Sequence, residues 1–314
     1  MFQMKIMLIP RTRLVLKNPV MTASGTFGYG TEFASRMDVS GLGAIVCKGT
    51  TRRPRAGNEP LRVAETPAGM LNTIGLQNIG VDAVVVQQAP QWMTLDVPVF
   101  VNVSGTSVED CRDIVERLNG VPGVAGVELN ISCPNVKEGG VAFGTSARLA
   151  SEVTAAVRSS TTLPLMVKLS PNVTNIVEIA CAVESAGADA ISLINTLYGM
   201  GIDRKRRAPV LTEVTGGLSG PAIKPVALYM VYAVAAAVSV PIVGLGGISS
   251  ADDALEFMLA GATAVGLGTA LMVNPTVWRD VVNGLAAWKT REGVGHLVEV
   301  VGAANRAFKG KPTR

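Results

Sequence analysis

The chain has 314 residues, of which 48% are hydrophobic and 34 are glycine, and its formal net charge is +4. That length exceeds a small domain and suits one closed α/β barrel of about 250 residues with decorations, its glycines serving tight strand-to-helix turns. The slight positive charge suits an anionic small ligand; with no basic tail and no basic patch interleaved with aromatics it excludes a nucleic-acid partner, and the densest basic run, Arg204–Arg207, reads as a solvated loop.

Taken in order, the chain opens on a hairpin-like piece. Met1 to Arg13 has too small an apolar core for a signal peptide and lacks a small-residue cleavage site. Asn18–Gly25 is a brief buried strand that runs into a glycine-punctuated loop, Gly25–Gly30. Apolar runs then recur at Ala44–Gly49, Val97–Val103, Val127–Ile131, Leu163–Leu169, Ala190–Asn195, Pro241–Leu245 and Ala264–Leu267, which makes eight strands with the first. Segments of helical period lie between them, among them Val108–Leu118, Ser146–Arg158, Asn175–Ala186 and Ala251–Leu259, the last with Ser249 or Ser250 as N-cap.

Pro225–Ala251 carries no charge and resembles a membrane span. Pro241, Gly244, Gly246 and Gly247 cut it into a helix of about 16 residues and a short strand, so no membrane partner is expected. Ala186-Gly-Ala-Asp-Ala-Ile-Ser-Leu193 and Ala260-Gly-Ala-Thr-Ala-Val-Gly-Leu267 share one helix-end, glycine, strand layout and read as equivalent βα units. Eight short strands alternating with helices predict a TIM (β/α)8 barrel. With no Pro- or Ser-rich linker, residues 1–314 read as one domain. The longest excursions, Thr50–Asn78 and Thr196–Gly220, are expected as loops on the functional rim.

The chemistry centres on Gly126-Val-Glu-Leu-Asn-Ile-Ser-Cys-Pro-Asn-Val136. Its strand delivers Asn130 and Cys133 to one mouth of the fold. Pro134 forces the chain out into Asn135–Thr145, whose Gly139, Gly140 and Gly144 give it the composition of a lid. The other strand ends carry Ser24, Lys48, Asn102, Lys168, Asn195 with Thr196, Gly246 with Gly247, and Gly268 with Thr269. Glycine turns at the last two strands, joined by Gly216-Gly-Leu-Ser-Gly220, predict a phosphate site made by backbone N–H groups. None of these turns is a dinucleotide fingerprint, so the chain is not expected to hold NAD.

Cys47, Cys111, Cys133 and Cys181 have no cluster or metal-ligand spacing. The chain is therefore expected to carry no metal and no iron–sulfur centre, in a reduced cytosolic setting, with Cys47, Cys111 and Cys181 structural. His296 is the one histidine, which leaves cysteine, lysine or a carboxylate as general base. Lys168 has two readings: it offsets charge on a reduced flavin, or it is the Schiff-base nucleophile of an aldolase. A phosphate-ligand-binding barrel without chemistry is a third reading, and it leaves Cys133 without a purpose.

Six ordered motifs now carry a resemblance that covers the chain from Asn18 to about Thr276: Asn-Ile-Ser-Cys-Pro-Asn135, Leu71-Asn-Thr-Ile-Gly-Leu-Gln-Asn78, Val167-Lys-Leu-Ser-Pro171, Ile194-Asn-Thr196, Thr215-Gly-Gly-Leu-Ser-Gly-Pro221 and Gly244-Leu-Gly-Gly247. Together they resemble class 1 dihydroorotate dehydrogenase. Leu76-Gln-Asn78 and Cys133-Pro-Asn-Val-Lys-Glu-Gly-Gly140 are similar to the NAD-linked subclass (1B), in which the catalytic FMN subunit works with an iron–sulfur flavoprotein.

The resemblance implies a set of roles. FMN lies across the barrel mouth with its phosphate at Gly220, Gly246, Gly247, Gly268 and Thr269. Lys168 is near the flavin N1–C2 carbonyl region, and Ser24, Lys48, Gly49, Asn102, Asn130 and Ile194 touch the ring or its chain. Dihydroorotate is read by Lys48, Asn72, Thr73, Ile74, Gly75, Leu76, Asn130, Asn195 and Thr196. Cys133, as thiolate, takes the C5 proton while the C6 hydride passes to FMN, giving orotate for pyrimidine biosynthesis.

Electrons are then expected to reach NAD through a partner subunit that carries FAD and a 2Fe–2S cluster, in a cytoplasmic heterotetramer of two chains each. A fumarate-linked class 1A enzyme or a related pyrimidine-reducing flavoenzyme is the alternative within the family, and the Lys168 aldolase the alternative outside it. The resemblance carries no function onto Trp278–Arg314.

Overall fold

In the computed structural model the described residues are 4–131 and 143–307. Their central element is an eight-stranded, all-parallel sheet of β1 (Val20–Thr22), β2 (Ile45–Val46), β3 (Val99–Val103), β4 (Val124–Asn130), β5 (Leu165–Lys168), β6 (Ala190–Leu193), β7 (Ile242–Leu245) and β8 (Ala264–Leu267). Each strand pairs with its sequence neighbour, and β8 returns to β1. The seam between β1 and β2 is closed by a parallel bridge, Met21 to Ala44, and by two hydrogen bonds: Thr22 N–H to Ala44 O (3.2 Å) and Gly43 N–H to Val20 O (2.8 Å). The TIM barrel read from eight apolar runs is the observed architecture.

The strands read as unbroken apolar runs because both of their faces are buried. Outward residues such as Val99, Val101, Val127, Leu129, Val167 and Ile191 pack into the helical layer. Inward residues Phe100, Met166, Ala190, Val243 and Ala264 form a second cluster with Ile6, Leu8, Ile9 and Leu16. The last four belong to an N-terminal antiparallel hairpin, Ile6–Ile9 with Leu14–Leu16, which plugs the end of the barrel remote from the strand C-termini. A Cβ on Gly126 would lie 2.6 Å from the Phe100 ring, so the glycine makes room for the largest side chain of that floor.

The helical layer follows from apolar spacing and caps. In α1 (Val108–Leu118) the buried residues Cys111, Ile114, Val115 and Leu118 recur at helical spacing, and the Ser107 hydroxyl accepts from the Asp110 N–H at 3.0 Å. α2 (Ala147–Ser159), α3 (Ile176–Ser185), α4 (Lys224–Ala235), α5 (Ala251–Ala260) and α6 (Val277–Arg291) complete the main layer. Ser250, rather than Ser249, caps α5, in a capping box with Asp253. α4 has 12 residues and is shorter than the helix of about 16 that the sequence predicts. Among the described residues no helix is long and apolar enough to cross a membrane.

The two similar segments are equivalent units. Gly187 (φ 99°) and Gly261 (φ 122°) end α3 and α5, and β6 and β8 each begin three residues later. The rim differs from expectation, because both excursions contain strands. Val63–Thr66, Gly69–Asn72, Thr215–Ser219 and Leu197–Met200 form an antiparallel four-stranded sheet beside the barrel mouth. The pairing that joins the two excursions, Gly69–Asn72 with Thr215–Ser219, spans more than a hundred residues, and glycines 69, 199, 216 and 217 erase the apolar alternation by which a strand is recognised.

Candidate active site

At the C-terminal ends of the barrel strands, roofed on one side by the rim sheet, lies a cavity of about 780 Å³. That is within the range of roughly 300–1,000 Å³ usual for small-molecule sites. Ser24, Lys48, Gly49, Asn102, Asn130, Lys168, Ile194, Asn195 and Thr196 reach it from the ends of β1 to β6. Asn72, Thr73, Ile74, Gly75 and Leu76 reach it from the rim sheet, and Gly220, Gly246, Gly247, Gly268 and Thr269 from its far side. Every candidate residue within the described part of the chain therefore lines one space.

Cys133 lies outside the described residues, as does most of the lid-like loop. The chain enters that segment from Ile131 and returns at Phe143–Thr145, where the Gly144 N–H donates to the Ile131 carbonyl at 2.7 Å. A Cβ on Gly144 would come within 2.8 Å of the same oxygen.

The glycine turns have the geometry of a backbone cradle. Gly220 (φ 90°), Gly246 (φ 125°) and Gly247 (φ 77°) are left-handed, and a Cβ on Gly247 would stand 2.8 Å from Lys224 Cβ and 2.9 Å from Gly220 O. The Thr269 hydroxyl donates to Ser219 Oγ at 2.8 Å, tying the end of β8 to the rim sheet. Asp253 braces the turn after Gly247 by accepting from Ser249 N–H (2.9 Å), Ser249 Oγ (3.0 Å) and Ser250 N–H (2.9 Å). It also pairs with Lys224 at 2.5 Å. Burial works against this carboxylate, but the Lys224 bond and the serine donors outweigh it and hold its pKa at about 2. Three left-handed glycines packed closely against their neighbours bring bare backbone to the wall of a cavity of this size, which fits a phosphate-bearing cofactor such as FMN.

The opposite half of the cavity is polar and cationic. Lys168 is 5% exposed, and its ammonium donates to Ser24 Oγ at 3.1 Å. Burial pushes the Lys48 ammonium below its ordinary pKa; Glu32 opposes that shift and Arg62 adds to it. Gly75 (φ 74°) and Leu76 (φ 56°) are successive left-handed residues in the segment that follows Asn72 along the cavity wall. Cys47 and Cys111 are sealed in the core, where burial pushes both thiols up to about 12. Both are thus protonated at neutral pH, as structural cysteines should be.

Three residues that the sequence reading did not single out belong to this framework. Asn172 clamps the segment after Asn195, donating to Thr196 O (3.0 Å) and accepting from Tyr198 N–H (3.0 Å). Arg62 stands on the cavity wall, bonded to Gln77 Oε1 at 2.8 Å. Glu128 lies inside the barrel beneath the cavity, accepting from Asn102 Nδ2 (2.6 Å) and Ser192 Oγ (2.8 Å). Its signal was available, since a carboxylate inside a strand buried on both faces has no bland place to go.

A family model described as dihydroorotate dehydrogenase matches residues 10–288. The chain is 56% identical over 288 residues to the "dihydroorotate dehydrogenase B (NAD(+)), catalytic subunit" of Geotalea uraniireducens, covering 92% of this chain and 94% of that protein. It is 55% identical to the protein of the same name from Geotalea daltonii, with the same coverage. The like-named protein of Desulforamulus reducens is 54% identical over 293 residues, 93% of this chain and 96% of that one.

Proposed function

We propose, starting from the premise that the chain belongs to the dihydroorotate dehydrogenase family, that it is the catalytic subunit of an NAD-linked enzyme that oxidises (S)-dihydroorotate to orotate in pyrimidine biosynthesis. The observation that carries this reading is the convergence of nineteen residues, chosen from strand ends and motifs, on one cavity of about 780 Å³. Membership of the family favours the flavin role of Lys168 over a Schiff-base role.

In this reading Gly220, Gly246, Gly247, Gly268 and Thr269 hold the phosphate of FMN, and Ser24, Lys48, Gly49, Asn102, Asn130, Lys168 and Ile194 hold its ring and chain. FMN, when bound, supplies the two-electron acceptor for the oxidation. Lys168 supports the pole of the ring on which negative charge grows, because an ammonium with little solvent around it interacts strongly with nearby charge. Lys48, Asn72, Thr73, Ile74, Gly75, Leu76, Asn130, Asn195 and Thr196 read the substrate. Amide side chains suit a planar ring of alternating donors and acceptors, and the Lys48 ammonium suits its carboxylate. Asn172 keeps Thr196 in place through the bond to its carbonyl.

Cys133 follows β4 by three residues and acts as the general base that takes the C5 proton. General-base catalysis contributes about 10²–10⁴-fold. The names of the relatives speak of a catalytic subunit, and we assign the onward path of electrons to a second subunit with FAD and a 2Fe–2S cluster, in a cytoplasmic heterotetramer. The test is turnover with the purified, FMN-loaded chain. Orotate is expected to form with an artificial electron dye, and to form with NAD only when the partner subunit is added. Rapid orotate formation by this chain alone with fumarate would transfer it to the fumarate-linked class.

A further inference from the structure

The barrel interior changes character halfway up. Phe100, Met166, Ala190 and Val243 fill its floor, and an apolar residue at position 128 would extend that floor. A carboxylate stands there instead, 1% exposed. It does not line the cavity, yet two of the groups around it do. Asn102 spends its Nδ2 on Glu128 Oε2 at 2.6 Å and accepts from Ser104 Oγ at 3.2 Å, so both ends of its amide are committed. The Lys168 ammonium lies 3.9 Å from the same Oε2, beyond hydrogen-bond length and within strong Coulombic reach at this burial. Ser192 Oγ, at 2.8 Å from Oε1, holds the carboxylate from the side of β6.

We propose that Glu128 is a positioning residue that offsets the charge of Lys168 and orients Asn102, and so sets the redox potential of the flavin held above them. The inference rests on the flavin reading of the cavity. With the carboxylate in place, Lys168 and Glu128 form a neutral pair below the site. Without it, the ammonium stands uncompensated beneath a ring that gains electrons, and electron gain becomes easier. The structural alternative, in which Glu128 only satisfies its neighbours within the core, makes no demand on the potential.

Spectroelectrochemical titration of the FMN-loaded chain separates these cases, using wild type, Glu128→Gln, Lys168→Met and the double variant. Glu128→Gln is expected to keep FMN and move the midpoint potential in the positive direction. In the Lys168→Met background the same change should have a smaller effect, because the charge that Glu128 offsets is gone. Glu128→Asp keeps the charge and withdraws it by one methylene; it is expected to give a smaller positive shift, and it serves if the glutamine variant does not fold.

A wild-type potential in the folded variants overturns the inference, as does an equal shift with and without Lys168. Loss of the fold in both Glu128 variants assigns the carboxylate to the core alone and overturns it as well. Absence of flavin from the wild-type chain is a different result, which sinks the flavin reading itself.

Discussion

Cys47 illustrates how burial decides what a thiol can do. Cys47 is enclosed by the barrel wall, and burial pushes it up to about 12, so no reachable fraction of thiolate exists at neutral pH. Cys133 follows a strand end that opens on the cavity, three residues past Asn130. An ordinary thiol with a pKa of about 8.5 is only a few per cent ionised at pH 7. Flavin reduction by dihydroorotate is therefore expected to accelerate from pH 7 to pH 9, measured by rapid mixing under anaerobic conditions. Cys133→Ser should retain FMN and lose about 10²–10⁴-fold in that rate. A flat profile, or an unchanged rate in the serine variant, removes Cys133 from the proton transfer.

At the scale of elements, the turn after β7 depends on backbone conformations that only glycine adopts cheaply. Gly247→Ala forces a side chain onto a residue at φ 77°, with Lys224 Cβ and Gly220 O both within 3 Å of the new atom. The left-handed conformation alone costs an L-residue about 1–2 kcal/mol. The variant should lose at least that much stability in urea denaturation and release FMN more readily, read by recovery of free-flavin fluorescence. Wild-type FMN retention would exclude this turn from cofactor binding.

How far the elements could be read in advance follows the same physics. The barrel strands were legible because burial on both faces leaves an uninterrupted apolar signature, and α1, α3 and α5 because Ser107, Asn175 and Ser250 cap apolar runs of helical spacing. Gly69–Asn72 and Thr215–Ser219 were not, since glycine-rich strands paired across two distant excursions leave no local pattern. The strand-end residues that line the cavity were legible from position alone. Asn172 was not, because it acts through Thr196 and only the fold brings the two together, whereas Glu128 could have been flagged as a carboxylate in a buried strand although its partners Asn102 and Lys168 could not.

For the whole molecule, ionised carboxylates tie remote pieces of chain together. Asp189 accepts from Arg11 in the N-terminal hairpin turn (2.5 and 2.8 Å), from Arg158 at the end of α2 (2.9 Å) and from the Leu165 N–H at the start of β5 (2.8 Å). Burial raises its pKa, but the Arg11 bond and the other donors outweigh that and leave it lowered. Asp253, at about 2, does the same between α4 and α5. A carboxylate whose folded pKa is depressed stabilises the fold above its unfolded value near 4, and that stabilisation is lost as pH falls through the folded value. Stability in denaturant titrations should therefore hold from neutral pH down to about pH 4 and decline between about 4 and 2; Asp253→Asn should flatten part of that decline. A profile that is level down to pH 2 would show that these ties contribute nothing.

The account stands most directly on an anaerobic visible spectrum of the purified chain before and after addition of dihydroorotate. Flavin absorbance that bleaches on addition, with one orotate formed per FMN, is the predicted result. A chain without flavin, in which borohydride traps a carbonyl compound on Lys168, would contradict it.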